Sequence, residues 1–111
     1  MMLAFLLVAT NVSANQQAVL AYKDCLRTIV AANEKQPAAT YLPLEKLVAK
    51  VERECAIQRT TARDALAKDV AATAANVDGR RPPEGDSWKE ELIRDATLRW
   101  MNSVIAEGVT K

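Results

Sequence analysis

The chain has 111 residues, a formal net charge of +1 and no histidine, and it is 50% apolar but only 5% aromatic. A charge balance this near zero gives no electrostatic footprint for nucleic acid or an anionic membrane surface. The absence of histidine removes the commonest metal ligand and the commonest general base near neutrality.

The length suits one domain. Many of the apolar residues are Ala, so the core is thin, and a helical domain this small is marginal without a staple. An Ala-rich, aromatic-poor chain with three Gly favours helix over sheet.

Met1 to Ala9 reads MMLAFLLVA and is followed by TNVSA. A short apolar run ending in Val12-Ser13-Ala14 fits a secretory signal peptide cut before Asn15. This divides the chain into a signal peptide, 1–14, and a single helical domain, 15–111. No Lys or Arg precedes the apolar run, so the free amine supplies the positive charge or the true start lies upstream. The alternative is a buried N-terminal helix of a cytosolic protein. The run falls short of the roughly 20 apolar residues a bilayer requires, so the mature chain carries no stable membrane span.

Asn15 to Glu34 has a helical pattern, with Ala18, Ala21, Tyr22, Cys25, Ile29 and Ala32 in one stripe and Leu26 beside it. Gln36-Pro37 ends it, because a residue preceding Pro is pushed out of the helical region. Pro43 suits the start of the next helix. The short connection makes the two helices antiparallel neighbours.

Leu44 to Val77 then reads as one long amphipathic helix. Leu44, Val48, Val51, Cys55, Ala62, Leu66, Val70, Ala74 and Val77 step by threes and fours, Gln58 being the one polar break. Cys25 and Cys55 are the only cysteines. At ~1.5 Å per residue they sit roughly 14 and 18 Å from the connecting turn, a mismatch of about one helical turn. In an exported chain, cysteines at matching heights on facing apolar stripes read as a disulfide; in a reduced protein they are two buried thiols. They lack the Cys-X-X-Cys arrangement of a redox-catalytic pair.

The long helix overhangs its partner, because the mature first helix runs back only about 15 Å from Cys25. In an uncut precursor, Met2 to Asn15 could extend helix one over the same ground. Asp78-Gly79-Arg80-Arg81-Pro82-Pro83-Glu84-Gly85 is a clear break, and Ser87 with Glu90 matches a capping box. A third helix follows to about Ala106. Trp88, Leu92, Ala96, Trp100 and Val104 form its apolar series, expected to fold back onto Ala62, Leu66, Val70 and Ala74. The expected fold is therefore all-α: an antiparallel helical hairpin with a third helix packed on it, a small three-helix bundle with one inter-helix disulfide.

Nothing points to catalysis. Glu52 with Glu54, and Glu90 with Glu91, point apart on a helix, and the Lys50–Glu54 and Asp64–Lys68 pairs are simple helix supports. There is no metal-ligand cluster, no cofactor motif and no nucleophile–base constellation. Trp88 and Trp100 are either core residues or partner anchors, and Arg80-Arg81 sits in either a rigid connector or a docking or proteolytic loop.

The expectation is a small exported, periplasmic or secreted, non-catalytic binding or structural module of the cell envelope, acting on an unidentified protein partner. The broad profile of a small, exported, helical, two-cysteine chain also resembles acid-stress chaperones of the bacterial envelope. That resemblance implies a periplasmic holdase as the alternative.

Overall fold

The computed structural model describes residues 13–78 and 85–109, the side chains of 74–78 and 109 excepted. The expected extension of the first helix over Met2 to Asn15 lies outside the described residues as far as Val12, as does most of the expected signal peptide, and within them Ser13 is extended and α1 begins at Ala14. Among the described residues there are four helices and no strands: α1 Ala14–Glu34, α2 Leu44–Glu54, α3 Ala56–Asp78 and α4 Ser87–Val109.

Each boundary has a local cause. Ser13 is extended, at φ −65° and ψ 157°, and caps α1. Its hydroxyl accepts from the Gln16 N–H (3.1 Å), while the Gln16 carbonyl oxygen Oε1 accepts from the Ser13 N–H (3.1 Å). At the other end of α1, buried Asn33 uses its amide at both ends. Nδ2 donates to the Leu42 carbonyl (3.1 Å), and Oδ1 accepts the Leu42 N–H (2.9 Å). One side chain thus stands in for a backbone partner and fixes the return of the chain into α2. Pro43 precedes α2 in extended geometry, and its carbonyl accepts the Leu47 N–H (2.9 Å).

The long helix expected over Leu44–Val77 is two helices, which turns the expected three-helix bundle into four helical segments. Cys55 separates them at φ −106° and ψ 26°, its ψ well away from helical values. The Cys55 N–H still bonds the Val51 carbonyl (2.8 Å), and the Cys55 carbonyl accepts from Arg59 (2.8 Å). The break falls where the apolar stripe reaches Gln58 and Arg59. A continuous helix would carry these polar residues along the buried seam between Cys55 and Ala62. No helix-breaking residue marks the break, since neither Gly nor Pro occurs there, and the polar interruption of the stripe at Gln58 was its one trace in the sequence.

Side-chain pairs fix the directions. Cys25–Cys55 and Asn15–Asp69 (3.0 Å) run α1 antiparallel to α3. Tyr22–Thr97 and Arg27–Glu107 (2.7 Å each) run α1 parallel to α4. Arg59 and Arg63 meet Glu90, and α4 descends antiparallel to α3. The expected disulfide is present, with Cα atoms 6.0 Å apart across 30 residues.

The core cluster comprises Tyr22, Leu26, Val30, Leu47, Val51, Cys55, Ala62, Ile93, Met101 and Val104. Helix α1 buries Tyr22 and Leu26, as expected, and also Val30, whereas Ala21 and Ala32 of the expected stripe are exposed. A helix with neighbours on two sides needs two stripes, and the single-stripe reading supplied one. The same holds for α3: Ala62, Ala65 and Ala67 are buried, Leu66 is half-buried, and Val70 is 40% exposed. The expected overhang is also shorter, because Asn15 reaches Asp69.

Asn33→Ala removes both bonds to Leu42 and strands a part-buried backbone N–H and C=O. The expected cost is about 2 kcal/mol, read as a lower urea midpoint. Asn33→Asp keeps the acceptor but loses the donor, and should fall between wild type and Ala.

Candidate functional site

Of the residues singled out from sequence, Cys25 and Cys55 are joined covalently. Cys55 is fully buried and Cys25 half-buried, and no free cysteine occurs among the described residues. Arg80 and Arg81 lie outside the described residues. Trp88 and Trp100 share α4 but serve different seams, and both are half-buried.

Trp100 faces α1. It meets Tyr22 edge-on, with ring centroids 6.0 Å apart at 71°, and Lys23 Nζ lies 4.9 Å from the ring centroid. Trp88 faces α3, where it lines a groove of about 430 Å³ with Asp64, Ala67, Lys68, Ala71 and Lys89. Its indole N–H is buried and without a hydrogen-bond partner, an energetic debt against packing there.

Beneath Trp100 lies a buried polar chain. Thr97 Oγ1 donates to the Ile93 carbonyl (2.7 Å), which commits its only proton. The Tyr22 hydroxyl, 2.7 Å from Thr97 Oγ1, must then be the donor of that bond. Burial, with the hydrogen bond to Thr97 opposing, pushes the Tyr22 phenol above 10.0. Tyr41 is also raised, by desolvation and by the negative charge of Glu34, to which its hydroxyl donates (3.2 Å).

Sequence reasoning missed one cluster. Arg59, its side chain 13% exposed, places Nη2 3.1 Å from Glu52 of α2 and 3.0 Å from Glu90 Oε2 of α4. Arg63 Nη1 meets Glu90 Oε1 at 2.6 Å, and its Nε meets Asp64 at 3.2 Å. Three helices converge on these groups. Hydrogen bonds from Arg63, then Arg59, hold the Glu90 carboxyl below its ordinary value, and the Glu90 bond raises Arg63 in turn.

The expected Ser87–Glu90 capping box therefore does not form. Helix α4 starts at Ser87 itself, the Lys89 and Glu90 N–H groups bond the Asp86 carbonyl (3.1 and 3.3 Å), and the Glu90 carboxylate is taken by the arginines. The available signal was Arg59 and Arg63, spaced i, i+4 on the polar edge of α3; what they met could not be read without the crossing of α4.

A second groove, of about 450 Å³, lies between the start of α1 and α3. Asn15, Gln16, Val19, Leu20 and Lys23 face Leu66 and Asp69 across it. Its lining is mostly apolar, and Leu20 is 50% exposed. Among the described residues there is no group of three or more His, Cys, Asp or Glu placed to hold a metal, and no helix long and apolar enough to cross a membrane. Compared with known proteins, the chain matches no family model, no curated protein and no solved structure.

Trp100→Ala should destabilise the fold by about 2–3 kcal/mol, below the usual cost for a fully buried Trp because part of the ring is already in water. Lys89→Ala should stay within about 0.5 kcal/mol, since Lys89 makes only an exposed pair with Asp86 (3.3 Å). Urea unfolding compares the two; an unchanged midpoint for Trp100→Ala would make that ring a partner anchor. In an alkaline titration followed by tyrosinate absorbance, both tyrosines should ionise above 10.0. The stability held by neutral Tyr22 is fully present below that pH and lost as pH rises through its elevated value.

Proposed function

We propose that this chain is a small exported helical module of the cell envelope that binds a protein partner without catalysing a reaction. The observation carrying this reading is the apolar groove between α1 and α3, floored by Val19, Leu20 and Leu66 with Leu20 half in water. Exposed apolar surface in a concave site is more often kept for recognition than for stability. The Asn15–Asp69 bond across one end supplies polar groups that could orient a bound segment.

The disulfide supports export, because such bonds persist in oxidising compartments. The leader-like Met1–Ala14 segment supports the same destination. Cleavage before Asn15 would remove the Ser13 cap and leave the first turn of α1 with a free N–H group, at a cost of about 1 kcal/mol. Polar side chains of a partner seated beside Asn15 and Gln16 would compensate.

A photo-crosslinking residue at position 20 tests the reading in the native envelope. One discrete adduct, abolished by Leu20→Asp without a change in unfolding midpoint, is the expected result. No adduct would refute it, and a broad smear of adducts would favour a holdase acting on many clients. Intact-mass measurement of exported protein should show a chain beginning at Asn15; a mass retaining Met1 to Ala14 would contradict the processing step.

A further inference from the structure

The first turns of α4 are held to the rest of the molecule in an unusual way. Trp88 is half-buried against α3, yet its buried indole N–H has no partner, so water would satisfy it better. The groove it lines has Ala67 and Ala71 as its apolar residues, small side chains with little area to offer, beside Asp64, Lys68 and Lys89. The polar tie across this seam is the half-exposed Glu90 carboxylate, whose two oxygens take Arg63 at 2.6 Å and Arg59 at 3.0 Å. Further along α4 the grip is apolar and pH-insensitive, through fully buried Ile93 and Met101. Any release therefore stops short of Ile93.

We propose that Glu90 is an acid-released latch, whose protonation frees the first turn of α4 and uncovers Trp88 together with the Ala67–Ala71 face of α3. The charged groups around Glu90 make the device directional. From α3 it faces Arg59 and Arg63, with Asp64 on Arg63; from α2 it faces Glu52 through Arg59; on α4 the nearby charges are Asp86, Lys89, Glu91 and Arg94. The α1 group beside Arg59 is Tyr22, which stays neutral in acid.

Protonating Glu90 leaves two guanidinium groups, side by side on α3, without their shared counter-charge. Arg59, mostly buried and with its Nε already unpartnered, retains Glu52; Arg63 retains Asp64. Because the Glu90 carboxyl is held below its ordinary value, the latch is closed at neutral pH and opens only as pH falls through that lowered value. The disulfide and the Ile93–Met101 section keep the remainder folded. The device does not depend on the partner-binding reading and concerns a different face of α3.

The test uses the full chain with Trp100→Phe, leaving Trp88 as the single tryptophan. Its emission and its quenching by acrylamide are followed from pH 7 to 3, with far-UV circular dichroism alongside. The expected result is a red shift of Trp88 and a rise in quenching at acid pH while helicity is retained. Adding Glu90→Gln should give the red-shifted, quenchable state already at pH 7 and abolish the acid step, whereas Glu107→Gln, at the far end of α4, should leave the step in place. Should Trp100→Phe fail to fold, the Trp88 indole N–H exchange rate in the otherwise unaltered chain gives the same reading. A flat profile down to pH 3, an acid step that survives Glu90→Gln, or a step coincident with loss of all helix would each overturn the latch.

Discussion

One covalent bond sets the arrangement of the helices. Cys25, near the middle of α1, is tied to Cys55, the residue that separates α2 from α3. The chain is thereby pinned at the point where its apolar stripe is weakest, with Gln58 and Arg59 following at once. Upstream Leu47 and Val51, and downstream Ala62, join the same buried cluster as Tyr22, Leu26 and Val30 of α1. With so much of the α3 seam made of Ala, area burial alone is modest. A link closing 30 residues contributes on the order of 3–4 kcal/mol by restricting the unfolded chain, a large share of what a domain of this size holds in total.

Around that link, α1 acts as the shared wall. It runs against α3 in the opposite sense and beside α4 in the same sense. Its two stripes account for the core: Tyr22, Leu26 and Val30 are fully buried, and half-buried Val19, Cys25 and Ile29 pack against the cluster. The polar contacts lie at the margins, as they should where apolar area is scarce. Asn33 secures the hairpin return, Asn15 and Asp69 meet at the far end of α1 and α3, and Glu90 gathers Arg59 and Arg63 where three helices meet. The Tyr22–Thr97–Ile93 chain instead sits in the core and satisfies every hydroxyl proton it brings.

Much of this was legible in the sequence. Composition gave the all-helical class, Gln36-Pro37 and Pro43 marked the hairpin, and the heights of Cys25 and Cys55 gave the bridge. What escaped has three physical causes. The break at Cys55 is marked by no helix-breaking residue, and the polar Gln58 and Arg59 that interrupt the stripe are its one trace in the sequence. The inward faces of α1 and α3 were only partly placed, Tyr22, Leu26 and Ala62 being buried as expected but Ala21, Ala32 and Val70 exposed, because a helix with two neighbours does not obey a single stripe. Glu90 looked like a capping residue from its spacing to Ser87, but two arginines on α3 offer its carboxylate stronger bonds than a backbone N–H does. The candidate site was less legible than the fold: Trp88 and Trp100 were visible as large residues on one helix, but not that they face different neighbours. The groove at Val19, Leu20 and Leu66 exists only once α1 and α3 are laid side by side.

The central claim is that the Cys25–Cys55 bond holds a thin helical core in its folded arrangement. It is tested most directly by urea unfolding of the oxidised chain against the same chain with both cysteines replaced by Ala, each followed by far-UV circular dichroism. The account predicts that the oxidised protein unfolds cooperatively, and that the double variant loses about 3 kcal/mol or more or fails to fold. Equal midpoints for the two proteins would contradict it.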